Sequence, residues 1–289
     1  MKLFLKILIP LALVLGLIFY LTSNSSTANG ESVSQETETV AGSLQTIAAL
    51  PSQVKESSGI ITLAGKDAFL THNDAGNQPY LYELNQSGSL TNTIKLDVTN
   101  KDWEDLTQDK DGNLYIADTG NNDNKRRDLT IYKVHPGKPT EIETIKLTYE
   151  DQTKFPPAKK ERNFDCEAIF WHNGTIYLIS KDRGRKQTAK VYTVPAKAGT
   201  HTAKLIGEAK TNSAVTGAAI SPDAETIALV SEGKVHLFAN VADPATFFSG
   251  KMEEISLQGA GQTEAVAFED NNTMVITSEG GNLYKYKLN

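Results

Sequence analysis

The C-terminal stretch EAVAFEDNNTMVITSEGGNLYKYKLN, Glu264–Asn289, decides how the chain is built. It holds three β segments and no fourth. A short strand opens on Glu264-Ala265-Val266, the β-prone run Met274–Ser278 follows an Asn271-Asn272 turn, and Leu283-Tyr284-Lys285-Tyr286-Lys287 alternates in the period of a strand. Asn in such a turn tolerates the left-handed backbone of a tight hairpin. The opening recurs upstream at Ser58-Gly59-Ile60, Glu104-Asp105-Leu106, Glu167-Ala168-Ile169 and Thr216-Gly217-Ala218. The intervals from Ser58 onward are 46, 63, 49 and 48 residues. Each copy is followed by a second β-prone run: Ala68–Thr71, Leu114–Ala117, Ile176–Ser180 and Ile227–Ser231. Third strands such as Tyr80–Leu84 and Thr130–Val134 come next. Fourth strands are expected at Thr93–Leu96, Glu143–Thr148, Lys204–Gly207 and Glu253–Leu257.

Four strands per ~45-residue unit is the sequence signature of a β-propeller blade. The last unit has only 26 residues and lacks its outer strand, and a β-prone segment, Ser43–Leu50, stands unclaimed before the first unit. The expected fold is therefore all-β: a five-bladed β-propeller of four-stranded blades over residues 43–289, with the N-terminal strand completing the last blade. Six blades is the alternative, if the 63-residue second unit holds extra strands.

Composition sets the outer limits. The 289 residues are 39% hydrophobic and 22% charged, and mean hydropathy is −0.34, as for a globular chain with a real core. A net charge of −6 disfavours binding nucleic acid through its phosphates. A single cysteine, Cys166, excludes an internal disulfide framework and a multi-cysteine zinc site. Lys2 and Lys6 precede fifteen uncharged residues, Ile7–Leu21, so residues 1–22 read as a signal peptide or a signal anchor. Residues 23–42 are rich in Ser and Thr, carry no Lys or Arg, and read as a disordered linker. The propeller is thus expected outside the cytoplasm, periplasmic or at the cell surface. Either it is cleaved free or residues 4–22 hold it to the membrane. A monomer is expected, touching the membrane only through this segment.

In a propeller the innermost strands run beside the central channel, so the residues that open them face one mouth. Here these are Glu104, Glu167 and Glu264, with Glu56 just before the first copy; Thr216 interrupts the acidic series. A second set ends the second strands 14 to 16 residues later: Asp74, Asp118, Lys181-Asp182, Glu232 and Glu279. Converging carboxylates raise one another's pKa unless a cation neutralises them. Hard oxygen donors without clustered His or Cys point to Ca²⁺. The candidate metal ligands are Asp74, Glu104, Asp118, Glu167 and Glu264, with Asn73, Asn77, Asn121 and Asn122 as neutral oxygen donors. Arg127, Arg162 and Lys181 are candidates for holding a small anionic ligand. Asp109, Asp111 and Asn113 read as turn residues, Cys166 as core, and His72 as a turn histidine at the mouth. No G-x-S-x-G elbow, phosphate-binding loop or metal-type histidine spacing occurs.

Asp111-Gly112-Asn113-Leu114-Tyr115-Ile116-Ala117-Asp118-Thr119-Gly120-Asn121-Asn122 resembles a motif of NHL-repeat propellers. A wider set comprises Glu56-Ser57-Ser58-Gly59, His72-Asn73-Asp74, Asp102-Trp103-Glu104-Asp105, Asp118–Asn122, Glu167-Ala168 and Glu264-Ala265. It resembles the bacterial SdiA-regulated propellers and the related esterase-like phytases. The resemblance to the SdiA-regulated propellers implies an exported five-bladed propeller with a calcium site; the acidic ring, together with the absence of a nucleophile–base pair, points to recognition of a ligand or a protein at one face. The resemblance to the esterase-like phytases implies a metal-dependent phosphoester hydrolase. A scaffold held outside the membrane is a third reading.

Overall fold

The computed structural model describes residues 43–63 and 65–288. The expected signal segment and linker, residues 1–42, lie outside the described residues. Among the described residues no helix is long and apolar enough to cross a membrane.

Among the described residues twenty strands follow one another along the chain. They are β1 (Ser43–Ala49), β2 (Ser57–Thr62), β3 (Ala68–Asn73), β4 (Tyr80–Asn85), β5 (Leu90–Lys95), β6 (Trp103–Gln108), β7 (Leu114–Asp118), β8 (Thr130–Val134), β9 (Ile142–Tyr149) and β10 (Cys166–His172). Then come β11 (Thr175–Ser180), β12 (Ala189–Pro195), β13 (Gly199–Ala209), β14 (Val215–Ile220), β15 (Thr226–Ser231), β16 (Lys234–Ala239), β17 (Met252–Ser256), β18 (Thr263–Asp270), β19 (Thr273–Ser278) and β20 (Asn282–Lys287). β2–β5 and β14–β17 are four-stranded meanders. The C-terminal sheet runs β1-β20-β19-β18: β1 pairs antiparallel with β20 from Ser43↔Lys287 to Ala49↔Asn282. The N-terminal strand thus covers the edge that the three-stranded last unit leaves open.

β6–β9 and β10–β13 form one eight-stranded sheet, because the outer strands β9 and β13 pair in parallel from Gly199↔Ile145 to Ala203↔Tyr149. The 63-residue second unit holds four strands among the described residues. Its extra length lies in the connections 119–129 and 150–165.

Sheets pack face to face around a cycle. Ile61, Leu70 and Leu81 meet Trp103, Leu106 and Leu114; Tyr115 and Ile131 meet Ile169, Leu178 and Tyr192. Val191 meets Val215 and Leu229, Val230 meets Ile276, and Val275 meets Ile60. The second of these contacts brings the two halves of the eight-stranded sheet against each other, so this sheet is folded over rather than flat. At the centre β2 lies against β6, β6 against β10, β10 against β14, β14 against β18, and β18 against β2.

Every one of these innermost strands carries a β-bulge at its head. The register skips Ser58 in β2, shifts across Glu104-Asp105 in β6, and skips Glu167 in β10, Thr216 in β14 and Glu264 in β18. A bulge frees one residue from the in–out alternation and re-aims its side chain. This explains why a polar residue recurs at the start of otherwise apolar strands. The next residue is small for a steric reason. A Cβ on Gly59 would come within 2.8 Å of the Leu106 nitrogen, and one on Gly217 within 2.6 Å of the Glu264 carbonyl oxygen.

Asp105 is the exception. Fully buried, it accepts from its neighbour Leu106 N–H (2.8 Å) through Oδ1, and from Ile169 N–H (2.9 Å) and Ala218 N–H (3.3 Å) through Oδ2. One carboxyl group therefore ties β6 to β10 and β14. Asp105→Ala takes this acceptor from three buried N–H groups, those of Leu106, Ile169 and Ala218, at about 1–3 kcal/mol each. The expected result is a loss of roughly 3 kcal/mol in denaturant unfolding, with Asp105→Asn losing less.

Candidate functional site

The re-aimed residues open into a cavity of about 420 Å³ at one end of the inner strands. Glu104, Glu167 and Glu264 reach it from the bulges, Asp74 and Glu279 from the ends of the second strands, and Glu56 from the segment before β2. Lys181 and Arg183, just after β11, bring positive charge to the same wall. The fourth bulge contributes no charge, since Thr216 Oγ1 donates to the Thr263 carbonyl at 2.8 Å.

Glu104 is 5% exposed, and among the described residues no side chain lies within salt-bridge distance of it, although Arg183 is near enough to feel its charge. It stands in two triplets of carboxylates whose oxygens lie within 4.8 Å of one another: Asp74–Asp102–Glu104 and Glu104–Asp165–Glu167. Gly120 lies against both Glu104 and Asp102, so that a Cβ there would overlap their carboxyl groups. The second triplet holds counter-charge. Lys181 Nζ is 2.9 Å from Glu167 Oε2, and the Arg183 guanidinium reaches Glu167 Oε1 and Asp165 Oδ2, each at 2.5 Å.

Proton affinities set Glu167 apart from the other carboxyl groups. Burial, then the charges of Glu167 and Asp74, holds the Glu104 carboxyl well above the ordinary range. Burial and the neighbouring Asp74 push Asp102 to about 6. Burial pushes Glu264 to about 7, with Lys181 opposing and Glu167 adding. Burial raises Asp74 as well, and Glu167 and Glu56 add to the shift. Asp165 is raised by burial and by the adjacent Glu167. Glu167 goes the other way: burial works against its charge, but Lys181 and Arg183 outweigh it.

Of the residues expected from sequence, Asp74, Glu104, Glu167, Glu264 and Lys181 come together here. Asp118 does not line the cavity. It is buried at the end of β7, where it accepts from the Lys101 and Asp102 backbone N–H groups (3.3 Å each) and from Arg126 Nη2 (2.8 Å). Its role is to fix the segment that carries Asp102. Arg127 lies over the Phe155 ring, 3.8 Å from its centroid, and Arg162 faces Asp123 at 3.9 Å; neither lines the cavity.

Asp182 accepts from the Gly184, Arg185 and Gln187 N–H groups of its own loop, and Glu232 is exposed outside the cavity. Asn73 bonds Glu56 N–H and the Gln53 carbonyl, and Asn121 ties the Phe164 carbonyl to its loop. Asn77 donates to Glu56 Oε2 at 2.6 Å, and Asn122 lines the wall. His72 is buried edge-on to Trp103 and lowered by burial to about 4, so it sits beneath the mouth rather than in it. Asp109 closes its own turn through Asp111 and Asn113 N–H. Cys166 is buried, and burial pushes its thiol up to about 12.

Two acids of the site, Asp102 and Asp165, escape the sequence reading, and a signal existed for both. An acid stands two positions before the bulged residue in three copies, as Glu56, Asp102 and Asp165.

No family model matches the chain, and no curated protein matches it. Solved structures do. A gluconolactonase from Xanthomonas campestris is 13% identical over 86% of this chain and 90% of its own, with a TM-score of 0.50. A virginiamycin B lyase from Staphylococcus aureus is 14% identical over 80% of this chain and 66% of its own, with a TM-score of 0.41. A nidogen/laminin complex is 14% identical over 77% of this chain and 72% of its own, with a TM-score of 0.46. At such identities the likeness is one of fold: the chain is an all-β protein with the architecture of the β-propellers.

Proposed function

We propose that the chain is an exported, calcium-binding β-propeller of the SdiA-regulated type that recognises a small anionic ligand or a protein at the face bearing the carboxylate mouth. The observation that carries this reading is Glu104, buried and without a partner among four other carboxylates. An acid left so is an unmet demand for positive charge. The donor set is all hard oxygen, without His or Cys in reach, which suits Ca²⁺ with its ~6–8 oxygen ligands. Asp74, Asp102 and Glu104 would hold the ion. The parallel β9–β13 pairing joins two four-stranded units, so we read the twenty strands as five blades, in keeping with the cycle of five inner strands.

The phosphoester hydrolase reading asks for cations free to hold a phosphate. Lys181 and Arg183 are engaged by Glu167 and Asp165, and Arg127 and Arg162 lie elsewhere, which favours recognition over hydrolysis.

The raised carboxyl groups give the test its sign. Asp102 near 6 and Glu264 near 7 lie above the ~4 of an unfolded chain. Their contribution to stability is full below pH ~4 and is lost as pH rises through 6 to 7. Cation-free protein should therefore melt lower at pH 8 than at pH 5. Ca²⁺ at a hundredfold excess over Kd should add about 2.7 kcal/mol, a rise of roughly 5–10 °C in Tm. The rise should be larger at pH 8 than at pH 5, and binding should release protons. Glu104→Gln and Gly120→Ala should abolish the gain. An unchanged melt at pH 8 would contradict the proposal.

A further inference from the structure

The β14–β17 sheet, whose bulge carries no acid, assembles a nucleophile and a base from residues far apart in sequence. His236 in β16 stands directly opposite Glu254 in β17. Opposed residues project from the same face of a sheet, so the imidazole and the carboxylate are neighbours. Ser213 comes from the connection between β13 and β14, just after left-handed Asn212 (φ 50°). That turn is held by Asn212 N–H, which donates to the Gln187 carbonyl, and by Thr211 Oγ1, which donates to the Ser213 carbonyl, each at 2.9 Å. Ser213 Oγ lies 2.8 Å from His236 Nε2 and 3.4 Å from the Thr211 carbonyl. Ser231 Oγ, at the end of β15, is 3.1 Å from the same nitrogen and 2.9 Å from Ser213 Oγ. His236 and Ser231 are buried and Ser213 is half-buried, so of the two serines it is Ser213 that solvent reaches.

We propose that Ser213 is a nucleophile, with His236 as its base and Glu254 as a positioning residue, and that this site hydrolyses carboxylic esters. The activity is independent of the cation reading above. Glu254 sets the tautomer. Its Oε1 pairs with Lys234 at 2.9 Å, and its Oε2 faces His236 Nδ1 at 3.9 Å, beyond a hydrogen bond but close for a charge. Nδ1 has no hydrogen-bond partner among the described residues, so this carboxylate favours a proton there and leaves Nε2 bare for the serine hydroxyl. Burial lowers the imidazole to about 4 against the pull of Glu254, which keeps it neutral at pH 7. In the reaction Ser213 Oγ bonds to the acyl carbon while its proton passes to Nε2. The ester C–O bond then breaks, and the alcohol leaves with that proton. Water next attacks the acyl group, giving a proton to Nε2; the acid departs and Ser213 recovers the proton. A base so loosely backed suits esters, whose alcohols leave more readily than amines.

Treating the intact chain at pH 7.5 with diisopropyl fluorophosphate and, separately, with 4-nitrophenyl acetate tests this. EDTA is present to exclude metal-bound hydroxide, and circular dichroism follows folding. The expected result is one phosphoryl adduct per chain, placed on Ser213 by peptide fragmentation, and continuing release of 4-nitrophenolate. Ser213→Ala should abolish both, and His236→Gln should lower the release by about a hundredfold or more. Glu254→Gln should lower kcat and leave KM unchanged, as a positioning role requires. If a variant does not fold, the position of the adduct on the wild-type chain decides. No adduct, an adduct elsewhere, no release, or release that persists in folded Ser213→Ala overturns the proposal.

Discussion

The β-bulge at the head of each innermost strand is the constraint on which the remaining arrangement depends. A regular strand sends alternate side chains to opposite faces, and in a propeller both faces of a sheet are packed against neighbouring sheets. A carboxylate in that alternation would be driven into the apolar layers between sheets. One extra residue at the head of β2, β6, β10, β14 and β18 removes a side chain from the alternation and turns it toward the channel. The same device forces the following residue to be small, because adjacent inner strands approach within contact of Gly59 and Gly217. Where the small residue is replaced by Asp105, its carboxyl becomes the acceptor for amides of two neighbouring strands. Fold and site are therefore products of one local irregularity, repeated around a ring.

Placing acids this way creates an electrostatic problem that the chain solves only in part. Lys181 and Arg183 hold Glu167 in its ionised form, whereas Asp165 stays raised by burial and by Glu167 even with Arg183 beside it. Glu104, Asp102 and Asp74 are left to share the protons that burial and mutual repulsion force on them. Asp118 and Arg126 stand behind this group, and Arg126 also holds the Gly120 carbonyl at 2.6 Å. The loop that presses on Glu104 and Asp102 is thus fixed from behind. Such a backing suits a site that stays open for a ligand rather than one that collapses on itself.

The repeat was legible because it was written in strand chemistry. The acid–small heads, the turn residues and the short last unit led directly to the β1–β20 closure. The heads Glu104, Glu167 and Glu264 were legible as mouth residues for the same reason. The ends of the second strands were harder. Asp74 and Glu279 turn toward the cavity, whereas Asp118 turns back to Lys101, Asp102 and Arg126, and Asp182 spends its oxygens on its own loop. Spacing alone does not tell a cavity-facing acid from one that satisfies backbone amides. Asp102 and Asp165 were missed because two residues before a strand head is ordinarily loop. Only the bulge brings these positions alongside the re-aimed side chain. The long second unit was ambiguous by length, and its excess resolves into the connections 119–129 and 150–165.

The central claim is that Glu104 lacks a cation of its own within the protein. The most direct measurement is the pH titration of the Glu104 carboxyl ¹³C chemical shift in the chelated protein and with Ca²⁺, assigned by comparison with Glu104→Gln. The account predicts a midpoint well above the ordinary carboxylate range in the chelated protein and a marked fall of that midpoint with Ca²⁺ bound. A Glu104 that titrates in the ordinary range and is indifferent to Ca²⁺ would contradict it.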